Sequence, residues 1–186
     1  MIVVVIMLLI LGMLEFGFLF DHTLSLSYST REGARVGAAL ANGGGNLGCG
    51  AGQSPNAATV DPLIIGAVQR VMTSPGSPVR LDRVEEIRIY KATATGAQSG
   101  TQVNVWNYNA GGGPVVDGRA LDFSATSVGW AACARSNGAP PDSIGVTIRY
   151  RYNFVTPLAG IMRVLSPGTF DRVTVSDGTV MALNPS

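Results

Sequence analysis

The stretch "MIVVVIMLLILGMLEFGFLF", Met1 to Phe20, is apolar almost throughout, and its only charged side chain is Glu15. At a rise of about 1.5 Å per residue, about 20 apolar residues just cross the hydrocarbon core of a bilayer. A secretion signal would have basic residues before its apolar run and an A-x-A cleavage site after it. The first basic residue here is Arg31, and no A-x-A pattern follows Phe20. The stretch therefore predicts a membrane helix.

The same helix is expected to continue beyond the membrane surface. Residues Asp21 to Ala41 contain no proline, and the sequence "NGGG" at 42–45 ends the pattern. The apolar residues recur at helical spacing, as in the pairs Leu24 and Tyr28, and Val36 and Leu40. The predicted organisation is a membrane-embedded half at 1–20, an amphipathic continuation at 21–41 and an extracytoplasmic head at 42–186.

Small residues mark the continuation of this helix. Gly33 and Gly37 form a small-xxx-small step, which Ala34 and Ala38 repeat. Such steps let membrane-derived helices approach one another closely. The alternative is that they let the head pack closely on its own helix, and both can hold on different faces.

Glu15 is the second unusual feature of the helix. A carboxylate at the bilayer centre costs about 2.5 to 3.5 kcal/mol on insertion scales, so it is expected to pair or to lie near an interface. One interpretation is that Glu15 lies near the outer headgroups and sets the depth of the helix. The other is that it pairs with Arg31 or Arg35 of a neighbouring subunit.

Composition limits the function classes of the 186-residue chain. Its 13 basic and 12 acidic residues give a net charge of +1, so it has no electrostatic field to concentrate nucleic acid. The 24 glycines and 10 prolines predict a loop-rich body, and the length suits one domain with an appendage.

The head is predicted to be α+β, with a helix at Val60–Gly76 capped by Asp61 and with Pro62 in its first turn. Alternation predicts strands at Val84–Ala92, Gln102–Tyr108 and Ile144–Phe154. In the second strand, Val103 and Val105 share one side, and Trp106 on the other side is expected under a loop or against a neighbouring subunit.

The end of the chain predicts two further features. Thr156 and Pro157 begin a short predicted helix that ends at Gly168. Asp177-Gly178 predicts a two-residue hairpin turn that sets Val175 opposite Val180. The head thus has four or five antiparallel strands, packed on the outer half of the N-terminal helix.

No catalytic or cofactor site is indicated. Residues Gly43–Gly48 satisfy G-x-G-x-x-G, but they follow a helix and not a strand, unlike a dinucleotide site. His22, the only histidine, lies at the predicted membrane surface, where a catalytic triad is not expected. The sequence predicts a protein that is not an enzyme and has no catalytic residue, metal site or cofactor.

The two cysteines, Cys49 and Cys133, lack the close spacing of a zinc site. They predict one disulfide formed outside the cytosol, with two free buried thiols as the alternative.

The segments "LLILGMLEFG" (Leu8–Gly17) and "STREGARVGA" (Ser29–Ala38) closely resemble the TadE-like proteins, pilin-related components of tight-adherence type IV pilus systems. The stretch "PDSIGVTIRYRYNFVTPLAGIM" (Pro141–Met162) is similar to the family's terminal strand and turn. The resemblance implies a pilin-like fold. The residues assigned to helix assembly are Glu15, Phe16, Gly17, Arg31, Gly33, Arg35 and Gly37.

The resemblance implies a structural subunit of a Tad-type surface filament, which lies in the cytoplasmic membrane before assembly and at the cell surface afterwards. The implied partners are copies of itself or related pilins, a prepilin peptidase and an assembly ATPase platform. The family's processing signal, a glycine followed five residues later by glutamate and phenylalanine, is absent before Glu15, because Gly12 lies three residues away. The alternative function is a single-pass anchored binding or enzymatic domain that does not polymerise.

Overall fold

The computed structural model of the protein describes residues 2–40, 57–157, 160 and 173–184. These ranges contain two α-helices, α1 (Ile2–Ala39) and α2 (Ala57–Met72). They also contain seven strands: β1 (Val84–Ala92), β2 (Gln98–Tyr108), β3 (Val115–Val116), β4 (Arg119–Ala120), β5 (Phe123–Val128), β6 (Ser143–Tyr152) and β7 (Val173–Ala182).

Helix α1 confirms the predicted continuous helix through residue 39. Its outer half, after Phe20, packs with α2 on one face of the sheet, so that a three-part core forms between the two helices and the strands. Within the described part of the chain, α1 is the one helix long and apolar enough to cross a membrane. The architecture is thus α+β, with a long apolar N-terminal helix, as the sequence predicts.

Helix α2 begins earlier than predicted. It starts at Ala57, so Asp61 lies inside the helix and is not its cap, and Pro62 is internal as well. The Asp61 carboxylate instead accepts a hydrogen bond from Asn104 and pairs with Arg135 inside the head. The predicted apolar face is buried at Ile64, Val68 and Met72.

The main sheet has five strands in the order β5-β2-β1-β6-β7, and each pairing is antiparallel. Strand β6 confirms the strongest alternation in the sequence. Its buried inward-facing side chains are Ile144, Val146, Ile148, Tyr150 and Tyr152. In β2 the inward side carries Asn104 and Trp106, both buried, whereas Val103 and Val105 lie on the outer face. Trp106 therefore belongs to the core of its own head.

The predicted hairpin at Asp177-Gly178 is wrong. Residues Val173 to Ala182 form one extended strand that pairs with β6 along its whole length, with Gly178 opposite Thr147. A Cβ at position 178 would lie 2.6 Å from the Thr147 Oγ1, so glycine is needed there for a close approach. The ten-residue ladder with β6 overrides the local turn preference.

A short hairpin that the sequence analysis did not predict joins β3 to β4. Its turn is Asp117-Gly118, and both residues have positive φ, 50° and 76°. Two successive positive φ values define the type I′ turn that favours Asp-Gly.

Several predictions lie outside the described residues. They are the glycine break at 42–45, the Gly43–Gly48 motif, Cys49 and most of the predicted helix from Thr156 to Gly168. Cys133 lies in a 3-10 turn at Ala132–Ala134. The Cys49–Cys133 disulfide therefore stays a prediction.

Candidate functional site

The candidate site is the first helix, whose two halves have opposite environments. The inner half carries large apolar side chains that are exposed: Ile2, Val3, Val4, Val5, Ile6, Met7, Leu9, Ile10, Met13, Leu14, Phe16, Phe18 and Phe20. The outer half is covered by α2, β6 and β7, and its buried residues are mostly small or polar. An apolar surface of this length is typical of a segment meant for lipid or for other helices.

Glu15 links the head to the exposed inner half of α1, residues 2–20, which we call the bare helix. Its side chain is buried, and its carboxylate accepts hydrogen bonds from the Tyr152 hydroxyl, the Val155 N–H at 3.0 Å and the Thr156 N–H at 2.8 Å. Tyr152 is the last residue of β6, and Val155 and Thr156 lie in the segment that follows it. The carboxylate therefore has its partners inside its own chain, where it ties residue 15 to the base of the sheet.

The pairing of Glu15 with Arg31 or Arg35 of a neighbouring subunit stays a prediction, and within its own chain neither arginine contacts Glu15. Arg35 makes a bidentate contact with Glu32, one turn earlier, at 2.6 and 2.8 Å. Arg31 is exposed. Within the chain, neither arginine neutralises the charge of Glu15. Phe16 and Gly17, the two residues after Glu15, are exposed.

His22 completes the junction two turns after Glu15. Its ring is buried between Tyr150 and Tyr152, with centroids 5.6 and 5.1 Å away, and its Nδ1 lies 2.8 Å from the Phe18 carbonyl oxygen. Burial, aided by the contact with Glu15, raises the pKa of Tyr152 above its ordinary value. The tyrosine therefore keeps its proton over the physiological pH range and stays a donor.

A second polar contact ties the outer half of α1 to the edge strand. The buried Thr30 hydroxyl donates to Asp177 Oδ2 at 2.6 Å and lies 3.1 Å from Thr179 Oγ1. Further along, the Asn184 N–H donates to the Ala38 carbonyl at 3.1 Å. The last described strand is thus hydrogen-bonded to the first helix.

Gly33 and Gly37 face the head. A Cβ at Gly33 would lie 2.5 Å from Val68 Cγ2, and one at Gly37 would lie 2.7 Å from Ile144 Cδ1. The glycines therefore let α1 lie close against α2 and β6, which is the second of the two alternatives given by the sequence. By contrast, a Cβ at Gly17 would meet nothing within 4 Å.

A buried ionic cluster lies away from the helix junction. Arg135 is buried and its Nη2 lies 2.6 Å from Asp61 Oδ1, while its guanidinium carbon lies 4.6 Å from the Trp130 ring centroid. The Asn104 side-chain amide donates to Asp61 Oδ2 at 2.6 Å and accepts from the backbone N–H of Trp130 at 2.8 Å. These contacts join α2, β2 and the loop before β6, so the cluster fastens the head together.

Among the residues that the structure describes, no group of three His, Cys, Asp or Glu side chains could hold a metal ion.

A comparison with known protein families finds a match to the segment that contains the exposed half of α1. A family model described as "TadE-like protein" matches residues 1–35. Over that segment the chain is similar to TadE-like proteins. The match confirms the resemblance that "LLILGMLEFG" and "STREGARVGA" suggest. No curated protein and no solved structure matches the chain.

Proposed function

We propose that this TadE-like chain is a structural subunit of a Tad-type surface filament that assembles through its N-terminal helix. The observation that carries the proposal is the bare apolar half of α1, held at a fixed position on the head by Glu15. A rigid head joined to a bare helix can move as one body from lipid into a bundle of helices.

Before assembly, the inner half of α1 lies in the cytoplasmic membrane, with the head outside it. Assembly exchanges lipid contacts for contacts with the helices of identical or related subunits. Lipid tails are as apolar as these side chains, so packing and shape determine the association more than the hydrophobic effect does. In the filament the side chains available to neighbours include Phe16 and those around Gly17, since Gly33 and Gly37 contact the head of their own protomer.

The head has a structural role in this proposal and forms the outer, adhesive surface of the filament. It performs no covalent chemistry and needs no cofactor. A disulfide between Cys49 and Cys133 fastens its loops in the oxidising compartment. A prepilin peptidase and an assembly ATPase act on the chain as they do in the family.

The test is to shear surface material from cells that produce the chain together with a Tad assembly system, and to image and probe it. Leu9→Asp, at a side chain 63% exposed on the bare helix, is expected to abolish filament incorporation. Val115→Asp, at a head side chain 69% exposed, is the matched control and is expected to leave incorporation unchanged. Protein that stays monomeric in the membrane, with none in sheared material, would contradict the proposal and favour the non-polymerising anchored domain.

A further inference from the structure

The exposed apolar surface of α1 does not stop at the point where the head is fastened. Phe16 and Phe20 are largely exposed, and the first charged side chain after Glu15 is Asp21, which is exposed as well. Asp21 lies six positions after Glu15, which is a rise of about 9 Å along a helix. The apolar band therefore extends about 9 Å beyond the junction toward the head.

The base of the head lies alongside this band. The segment Asn153–Pro157 follows β6, and its Val155 and Thr156 N–H groups bond directly to the Glu15 carboxylate. The Val155 side chain is 61% exposed. An exposed apolar side chain on the head thus lies at the level of Glu15, about 9 Å on the apolar side of Asp21.

We propose that Phe16, Phe20 and Val155 form an apolar collar by which the base of the head inserts into the interfacial region of the membrane. This inference rests on the proposed membrane location of α1. A bilayer that covers the helix as far as Phe20 also reaches the level of Asn153–Pro157, because hydrogen bonds hold that segment against residue 15. The resulting depth of about 9 Å is within the range of about 5 to 10 Å at which interfacial apolar groups bind.

The charge of Glu15 does not oppose this location. The residue is 4% exposed and its carboxylate already accepts bonds from three donors of the head, so lipid does not meet an unpaired anion. The collar is continuous with the bare surface of α1, and lipid can cover both without any change in the protomer. A neighbouring copy of the chain is the other occupant that the experiment distinguishes.

The test places a tryptophan in the collar of the full-length chain. Val155→Trp is reconstituted in vesicles of phosphatidylcholine, with acyl chains that are either unmodified or brominated near the headgroup. Its control is Val128→Trp, because Val128 is 65% exposed and lies at the end of β5. The pairings place Val128 level with Val146, six residues from Tyr152 along β6, or about 20 Å from the base. The native Trp106 and Trp130 are buried and provide a shared background.

Brominated lipid is expected to quench the tryptophan added by Val155→Trp, with a blue-shifted emission, and to leave that of Val128→Trp unchanged. An alkaline carbonate wash then shows whether the protein is inserted in the vesicles. If the washed protein stays in the vesicles and Val155→Trp has equal emission in both lipids, the collar is overturned and the filament proposal stands. A blue shift that depends on protein density without bromine quenching would overturn it in favour of a second copy. Protein that carbonate extracts would overturn both proposals.

Discussion

The two halves of α1 show that apolar character and burial are not the same property. The inner half is the more apolar, yet its large side chains are exposed. The outer half buries Ser29, Thr30, Gly33, Ala34 and Gly37, with Leu26 as its one large buried apolar residue. Small side chains allow the backbone of α1 to approach α2 and β6 closely, so shape fits this half to its head, whereas the other half is suited to a different partner.

The largest loss of stability is expected when a larger side chain is placed in the outer half of α1, which packs on the head. Gly33→Leu, placed where a Cβ already lies 2.5 Å from Val68, is expected to destabilise the head by about 3 kcal/mol. Gly17→Leu adds the same volume where no atom lies within 4 Å, and its head stability should match the wild type. Denaturant unfolding in detergent, followed by near-ultraviolet circular dichroism, measures both. Equal destabilisation by the two variants would contradict the inward packing of Gly33.

A smaller loss of stability is expected at Glu15, between the two halves of α1. Glu15→Ala removes the acceptor of the Val155 and Thr156 N–H groups and should cost about 2 kcal/mol of local stability. Faster hydrogen exchange at these two amides is the measurement. Glu32→Ala removes only a carboxylate paired with Arg35 on the helix surface and is expected to leave those amides protected. Unchanged exchange in Glu15→Ala would show that the carboxylate does not hold the loop.

Within the packed half, two threonines provide a matched pair. Thr30→Val removes the hydroxyl that donates to Asp177 and is expected to destabilise the head by about 1.5 kcal/mol. Thr23→Val removes a hydroxyl that bonds only to the Leu19 carbonyl of its own helix, and a change below about 0.5 kcal/mol is expected. Thermal unfolding of both variants in the same detergent measures the difference. Equal shifts would show that the bond to β7 contributes nothing.

The smallest expected effect is a pH dependence at the junction. Burial raises the pKa of Tyr152, so the folded state holds this proton more tightly than the unfolded state does. The resulting contribution to stability is complete below pH of about 10, the ordinary value for tyrosine, and is lost as the pH rises above it. Unfolding curves between pH 9 and about 11 should show less loss in Tyr152→Phe than in the wild type. If the free energy of unfolding falls equally with pH in both proteins, Tyr152 does not cause the pH dependence.

The sequence predicts elements whose signals are repeated over many residues. The continuous apolar helix and the alternation in β6 each rest on five or more side chains, and both are confirmed. The partner of Glu15 could not be predicted in this way, because Tyr152 lies 137 residues away and only the folded sheet brings its hydroxyl to the helix. Its inward position in the alternating strand was the one available signal.

Two Asp-Gly pairs show where local preference is sufficient and where it is not. Asp117-Gly118 turns the chain between β3 and β4, since each of these strands has only two residues and nothing opposes the turn. Asp177-Gly178 stays extended because β6 pairs with the strand on both sides of it and Thr30 binds the Asp177 carboxylate. The same dipeptide therefore turns or stays extended according to its partners.

The contacts of Glu15 and Thr30 also set an order of events in time. Their partners on β6 and β7 are 137 and 147 residues later in the chain. At a synthesis rate of about 5 to 20 residues per second, about 6 s or more pass between the synthesis of Ala39, the last residue of α1, and that of Tyr152. During that interval the helix has neither its junction with the head nor the strand that covers its outer half. The head can therefore close onto α1 only after β6 and β7 have been synthesised, so its contacts with the helix are among the last to form.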